Sequence, residues 1–285
     1  MHVMKKKDHN LAAQVMASLR NRRGRPVTAV ADTERPGLRV ASYNVHKCVG
    51  TDRRFDPDRV MQVIREIGPD VIALQEADRR FGDRVGLLDM ARLSHEMGLT
   101  RVPVSGMPRS HGWRGNVLLF REGMVRDVRP CVLPGLEPRG AVVAEIDLGE
   151  GRELRIIAAH LGLLRWARRQ QADFILDLIK ARSDCPTVLM GDFNEWRVGP
   201  GSALTRFEPV FGPLPAPVPS FPARLPVLAL DRILTNRPGV LSDIAVHDSP
   251  LARLASDHLP LKARIDLTAA AKAQQEGFSS GDFSL

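Results

Sequence analysis

The chain has 285 residues, 44% of them apolar and 26% charged. That excludes a small stapled scaffold and wholesale disorder, and leaves room for one large core. Three widely spaced cysteines, Cys48, Cys131 and Cys185, fit neither a disulfide framework nor a zinc cluster, so a reducing, cytoplasmic home is expected.

The net charge of +8 is unevenly placed. Lys5, Lys6, Lys7, Arg20, Arg22, Arg23 and Arg25, opposed only by Asp8, put six of those eight charges in residues 1–30. Residues 1–37 are therefore read as a basic, partly disordered extension. A signal peptide is rejected: the apolar stretch Leu11–Leu19 is short and runs into arginines instead of a cleavage site. Leu11, Val15, Met16 and Leu19 share a helical face, so peripheral contact with an anionic membrane or with nucleic acid phosphates is a candidate role. No apolar run is long enough to span a bilayer.

The body is read as residues 38–267. Leu38–Val45 is a buried strand. Asp56–Pro57 opens a helix with Val60, Val63, Ile64 and Ile67 on one face, broken at Gly68–Pro69–Asp70. Val71–Leu74 is a second strand, and Leu87–Met97 a helix stopped at Gly98. Four short strands follow: Asn116–Phe120, Met124–Leu133, Ala141–Asp147 and Leu154–His160. Leu163–Arg182 is a long helix whose inner face is read as Leu164, Ala167, Gln171, Phe174, Leu178 and Ile179. Thr187–Met190 is a buried strand, residues 212–226 a Pro-rich loop, and the last strands are Asp231–Thr235, Ile244–His247 and Leu259–Asp266. Residues 268–285 read as a flexible tail. Strands alternating with two or three helices, yet also running in hairpin-like pairs, indicate an α/β (α+β) fold: two face-to-face mixed sheets flanked by helices, a four-layer sandwich.

The chemistry-bearing residues share one position type. Asn44 and His46 follow LRVASY, Glu76 follows VIALQ, His160 follows LRIIAA, and Asp192 and Asn194 follow TVLMG. Asp231 begins a strand, and Asp257 and His258 precede LPLKARI. Strand ends let a rigid backbone hold polar groups at a cleft. Carboxylates, amides and imidazoles without a cysteine cluster suit a hard cation, Mg²⁺ or Mn²⁺, which pairs with phosphate oxygens. There is no nucleophile elbow, P-loop or dinucleotide loop. Metal-assisted attack of water on a phosphoester is the reaction class this set serves. Taken singly, each residue has an ordinary explanation as a turn aspartate, a capping amide or a core histidine.

Seven motifs occur in order: SYNVH at 42–46, ALQE at 73–76, GNVLL at 115–119, AAH at 158–160, GDFN at 191–194, LDRIL at 230–234 and SDHLP at 256–260. Together they resemble the endonuclease/exonuclease/phosphatase superfamily over residues 38–267. The resemblance implies a metal-binding role for Glu76, with Asn44 and Asp257 beside it. It implies that His160 and Asn194 reach the scissile phosphate, that Asp192 positions or deprotonates the attacking water, and that Asp231 and His258 form an Asp–His pair. Arg139, in PRGAVV, and Asn116 resemble substrate-side contacts. One position departs: where the apurinic endonucleases carry aspartate two residues after the strand asparagine, this chain has His46, a phosphate contact or weak metal ligand instead. The function implied is a divalent-metal-dependent phosphodiesterase, nucleic acid favoured as substrate and the chain acting as a monomer. The alternatives are a phospholipid or sphingolipid phosphodiesterase, a small-molecule phosphatase, and a non-catalytic phosphate-binding module.

Overall fold

The computed structural model describes residues 37–149, 152–181 and 185–267. The basic extension before residue 37 and the tail after 267 lie outside the described residues.

Two sheets carry the fold. The first is formed by β1 (Leu38–Asn44), β2 (Val71–Gln75), β3 (Thr100–Arg101), β4 (Val117–Phe120), β10 (Leu241–Val246) and β11 (Leu261–Ile265), in the order β10-β11-β1-β2-β4-β3. The second is formed by β5 (Met124–Val132), β6 (Gly140–Asp147), β7 (Glu153–His160), β8 (Thr187–Asp192) and β9 (Asp231–Thr235), in chain order. Each sheet contains one parallel pair, β1 with β2 and β7 with β8; the other pairings are antiparallel. Parallel neighbours need a crossover, and a helix supplies each one: α1 (Pro57–Ile67) in the first sheet and α3 (Arg165–Lys180) in the second.

Period-2 alternation sorts side chains into layers. On β1, Val40 faces the second sheet while Ala41 and Tyr43 face outward; on β7, Ile156 and Ala158 face in while Ile157 and Ala159 face out. The inward sets meet in a core between the sheets. The outward set of the first sheet packs under α1, α2 (Met90–Met97) and α5 (Pro250–Ala255). That of the second packs under α3 and a 3₁₀ turn at Leu204–Phe207. This is the expected four-layer sandwich.

Local chemistry explains the crossover that delivers the first site residues. Asp56 caps α1 by accepting from the Arg59 N–H (3.2 Å), Pro57 fits the first turn, and Gly68 ends the helix with φ 57°. Asp89 caps α2 in the same way at 2.9 Å, so that helix begins three residues later than Leu87.

Other expectations need correction. Five α-helices are present among the described residues instead of two or three; α4 (Glu208–Phe211) and α5 were too short for periodicity to reveal. The inner face of α3 is Ala167, Arg168, Gln171, Ala172, Ile175, Leu176 and Ile179, and Leu164 is exposed. The stripe is displaced because two polar residues find buried partners. Arg168 bonds Glu195 (3.0 Å), while Gln171 accepts from the Gly162 N–H (2.8 Å) and donates to the Pro134 carbonyl (2.8 Å). A periodicity that counts only apolar residues misses such positions.

Gly191 sits in β8 with φ 155°, opposite Ala159 of β7, and a Cβ there would collide with the Ala159 carbonyl oxygen. Backbone in a sheet interior cannot yield to relieve that contact. Gly191→Ala is expected to destabilise the fold by about 3 kcal/mol, checked by urea unfolding. A loss below about 1 kcal/mol would contradict this packing.

Candidate active site

The topology gathers the strand-end residues along one edge of the sandwich. The parallel strands β1, β2, β7 and β8 finish at this edge, carrying Asn44, Glu76, His160 and Asp192. Their antiparallel neighbours start there, so Asn116 precedes β4, Arg139 precedes β6, Asp231 opens β9 and His258 lies just before β11. The register aligns them: Asn44 is opposite Gln75, His160 opposite Asp192, and Asp192 opposite Asp231. Asn44, Asn116, His160, Asp192 and Asp231 also share the parity of the inter-sheet core on their strands. Polar residues thus continue the row that apolar residues fill deeper in, and the core becomes a polar cleft at its mouth.

Asp192 is the hub. Its Oδ2 accepts from Asn44 Nδ2 at 2.9 Å, and lies 3.4 Å from His160 Nε2 and 3.8 Å from His258 Nε2. Its Oδ1 accepts from the Asn194 backbone N–H at 2.9 Å. His258 Nδ1 meets Asp231 Oδ2 at 2.9 Å, and Ser220 Oγ donates to that same oxygen. The expected Asp–His pair is formed, with the Phe221 ring packed 4.9 Å from the imidazole.

Burial and charge divide the proton-carrying groups. Burial, with Asp231 adding to it and the His258 cation opposing it, pushes Asp192 up to about 6. Burial alone would lower His258, but the carboxylates of Asp231 and Asp192 outweigh it and push the imidazole up to about 10. His160 goes the other way: burial, Arg139 and His258 hold it well below the usual histidine range. The cleft therefore holds a neutral and a protonated imidazole on either side of one carboxylate.

Glu76 and Asp257 each meet the segment that follows β1, Glu76 through Lys47 and Asp257 through His46. Glu76 has left-handed backbone (φ 54°), and Lys47 donates from its backbone N–H to the Glu76 carbonyl (3.1 Å) and from its ammonium to Oε2. Burial would raise Glu76, but Lys47, His46 and Arg139 outweigh it and hold the carboxyl below its ordinary value. His46 Nδ1 meets the Val49 carbonyl (3.0 Å) and lies 3.8 Å from Asp257 Oδ1. Asn44 Oδ1 accepts from the His46 N–H at 3.0 Å.

Among the described residues no three His, Cys, Asp or Glu side chains form a protein-only metal cage. The donors are nonetheless of the right chemistry. The second oxygen of Glu76 has no partner among the described residues, and Asp257 is partly exposed. Such a set fits Mg²⁺, which keeps several waters and takes one or two carboxylates plus phosphate oxygens.

The remaining expected residues are present but engaged. Arg139 Nη1 lies 2.6 Å from His160 Nε2 and 3.0 Å from Nδ1, while its Nε (3.0 Å) and Nη2 (2.9 Å) hold Glu137 Oε2. Asn194 Nδ2 donates to the Leu161 carbonyl (2.9 Å), leaving one amide hydrogen over. Asn116 Nδ2 donates to the carbonyls of Gly140 (3.0 Å) and Trp113 (3.2 Å), and its buried Oδ1 has no donor.

Sequence reasoning assigned no role to Lys47, Glu137, Ser220, Arg80 or Arg114. Lys47 alone carried a signal, three residues after Asn44. Arg114 and Gly115 are the central pair of a tight turn closed by Trp113 and Asn116, with φ of 49° and 86°. Asparagine or aspartate usually stands at the first position of such a turn.

The two-sheet sandwich and its cleft are those of a phosphoesterase fold. The Endonuclease/Exonuclease/phosphatase family matches residues 41–258, and the chain belongs to that family, whose members are phosphoester hydrolases. An endonuclease/exonuclease/phosphatase from Beutenbergia cavernae is 24% identical, with a TM-score of 0.60 over 81% of this chain and 72% of that one. D. rerio TDP2 complexed with a single-strand DNA product is 16% identical, with a TM-score of 0.59 over 81% of this chain and all of its own (100%). A mannosyl-6-phosphatase of Bacteroides thetaiotaomicron is 16% identical, with a TM-score of 0.55 over 80% and 99%. These three likenesses are likenesses of fold. No curated protein matches the chain. No helix among the described residues is long and apolar enough to cross a membrane.

Proposed function

We propose that the chain is a divalent-metal-dependent phosphodiesterase acting on nucleic acid. One observation carries the hydrolytic part: Asp192, shared by Asn44, His160 and His258, stands beside a buried Asp231–His258 pair. A carboxylate raised to about 6 by burial is half-ionised just below neutrality. It suits a general base that takes the proton of an attacking water. His258, held protonated by Asp231, donates to a phosphoryl oxygen as negative charge builds there. His160 is neutral, accepts from Arg139 on one nitrogen and has one N–H to give. The free amide hydrogen of Asn194 is the third donor. Glu76 and Asp257 would hold Mg²⁺, which would supply positive charge to a phosphate oxygen and to the leaving oxygen.

The preference for nucleic acid over a lipid headgroup is supported by charge. Lys47, Arg80, Arg84, Arg114 and Arg139 line one pocket with Glu76 and His160. A concentration of cations at the cleft, in a body of low net charge, favours a polyanion. The three cysteines are buried and unpaired, which supports a reducing compartment.

Glu76→Ala is expected to lower Mg²⁺-dependent hydrolysis of bis(p-nitrophenyl) phosphate by about 100-fold, and EDTA should abolish the parent's activity. Activity within about twofold of the parent contradicts the metal assignment. Plasmid nicking assayed beside headgroup release from phosphatidylcholine vesicles separates the substrate classes; release without nicking overturns the nuclease reading.

A further inference from the structure

The pocket that opens from Glu76 and His160 carries more cationic charge than one phosphate needs. Three of its five cations are committed. Lys47 is paired with Glu76. Arg84 holds Asp78 through Nε (2.7 Å) and Nη2 (3.0 Å). Arg139 is divided between Glu137 and His160. Arg80 and Arg114 have no carboxylate partner among the described residues. Each guanidinium instead lies over an aromatic ring, Arg80 at 5.9 Å from Phe81 and Arg114 at 5.8 Å from Trp113.

Both arginines stand on braced backbone. Arg80 is in a loop whose neck is closed by the Arg79 N–H to Val85 carbonyl bond (2.9 Å) and the Asp78–Gly86 bridge, and the buried Asp78–Arg84 pair clamps it from within. Arg114 sits in the two-residue turn at φ 49°, and the Ala77 N–H donates to the Gly115 carbonyl (3.0 Å), tying that turn to the chain just after Glu76. Arg114 is held in a strained conformation, and neither guanidinium is answered by a carboxylate among the described residues, so the anionic partner of each comes from outside.

We propose that Arg80 and Arg114 form a subsite for a second phosphate, the one next to the scissile phosphoester on the Glu76–His160 side. This deepens, and rests on, the nuclease reading. The substrate class is a strand with at least two consecutive phosphates; an isolated phosphodiester leaves the two guanidinium groups unanswered. Guanidinium–phosphate contacts are charge-assisted and frequently bidentate, so the subsite acts as a measure of substrate length as well as a source of affinity.

The test compares thymidylyl-thymidine (TpT) with its 5′-phosphorylated and 3′-phosphorylated forms. In the parent, one phosphorylated form should be hydrolysed with a kcat/KM at least about tenfold above TpT, and the double variant Arg80→Gln/Arg114→Gln should bring that ratio close to one. A ratio that the double variant leaves in place overturns the subsite. Calorimetry in EDTA supplies a readout that needs no turnover. The preferred phosphorylated dinucleotide should bind the parent about tenfold more tightly than TpT, and the variant should lose that preference and about 0.7 in salt slope for each phosphate contact removed. Cleavage of both dinucleotides without preference refutes the subsite and leaves the nuclease reading standing. Preferential binding without cleavage of either supports the subsite and refutes that reading. Arg80 is exposed and Arg114 half-buried, and an unchanged Tm confirms that the variant folds.

Discussion

Asp192→Ala is expected to lower kcat/KM for phosphodiester hydrolysis by about 10³-fold, within the range for loss of a positioned general base. The substitution removes more than a proton acceptor. The Asn44 amide loses its carboxylate acceptor, and His160 and His258 lose the carboxylate that both approach. Asp192→Asn separates these effects in part, because it keeps the side-chain volume and one acceptor oxygen, while its NH2 is set against either the Asn44 amide or the Asn194 N–H. If Asp192 is the base, both variants lose activity to a similar extent although the asparagine variant keeps a higher Tm than the alanine variant. The acid limb of the parent's kcat/KM profile should bend near pH 6, because the base must be ionised and burial has raised it to about that value. An asparagine variant with more than about a tenth of the parent's activity, or an acid limb that survives in it unchanged, would remove Asp192 from the base role.

Asp231→Asn carries the second large effect, on stability as well as rate. His258 is raised to about 10 in the folded protein, against roughly 6.5 for an ordinary histidine. Its contribution to stability is therefore fully present below about pH 6.5 and is lost as pH rises through 10. With Asp231 neutralised, a buried imidazolium is left without its main partner, a loss of about 3–5 kcal/mol for a broken buried pair. In a body of this size that lowers Tm by roughly 10 °C at pH 6. The gap between parent and variant should narrow steadily towards pH 10. Hydrolysis should fall about 10²- to 10³-fold, since an unsupported His258 is neutral near pH 7 and cannot stabilise developing charge in the same way. Parallel Tm curves for the two proteins across pH 6–10 would refute the coupling.

The legible part of this protein was what lies close together along the chain. Val40, Ser42 and Asn44 alternate with Ala41 and Tyr43, so the direction of Asn44 follows from the strand itself. The caps Asp56 and Gly68 bound α1 within a residue of the expected ends. The ordered motifs pointed to the family, and the structure brings Asn44, Glu76, His160, Asp192, Asp231, Asp257 and His258 to one edge of the sandwich. The expectations for the basic extension before residue 37 and for residues 268–285 concern segments outside the described residues.

The contacts that assign roles were decided by tertiary structure alone. Asn44 and Asp192 are 148 positions apart, yet share a hydrogen bond because β1 and β8 face each other across the inter-sheet core. Arg139 turned out to lean on His160 with Glu137 behind it, an arrangement set by the pairing of β6 with β7. Lys47 on Glu76, and the two uncommitted arginines beside them, depend on left-handed turns that sequence pattern does not encode. Periodicity and capping are properties of a few consecutive residues, so the sequence by itself determined the strands, the parity of each site residue and the kind of chemistry available. Which carboxylate oxygen meets which imidazole is a property of two packed sheets, and only the packing of those sheets brought distant strand ends within a hydrogen bond of each other.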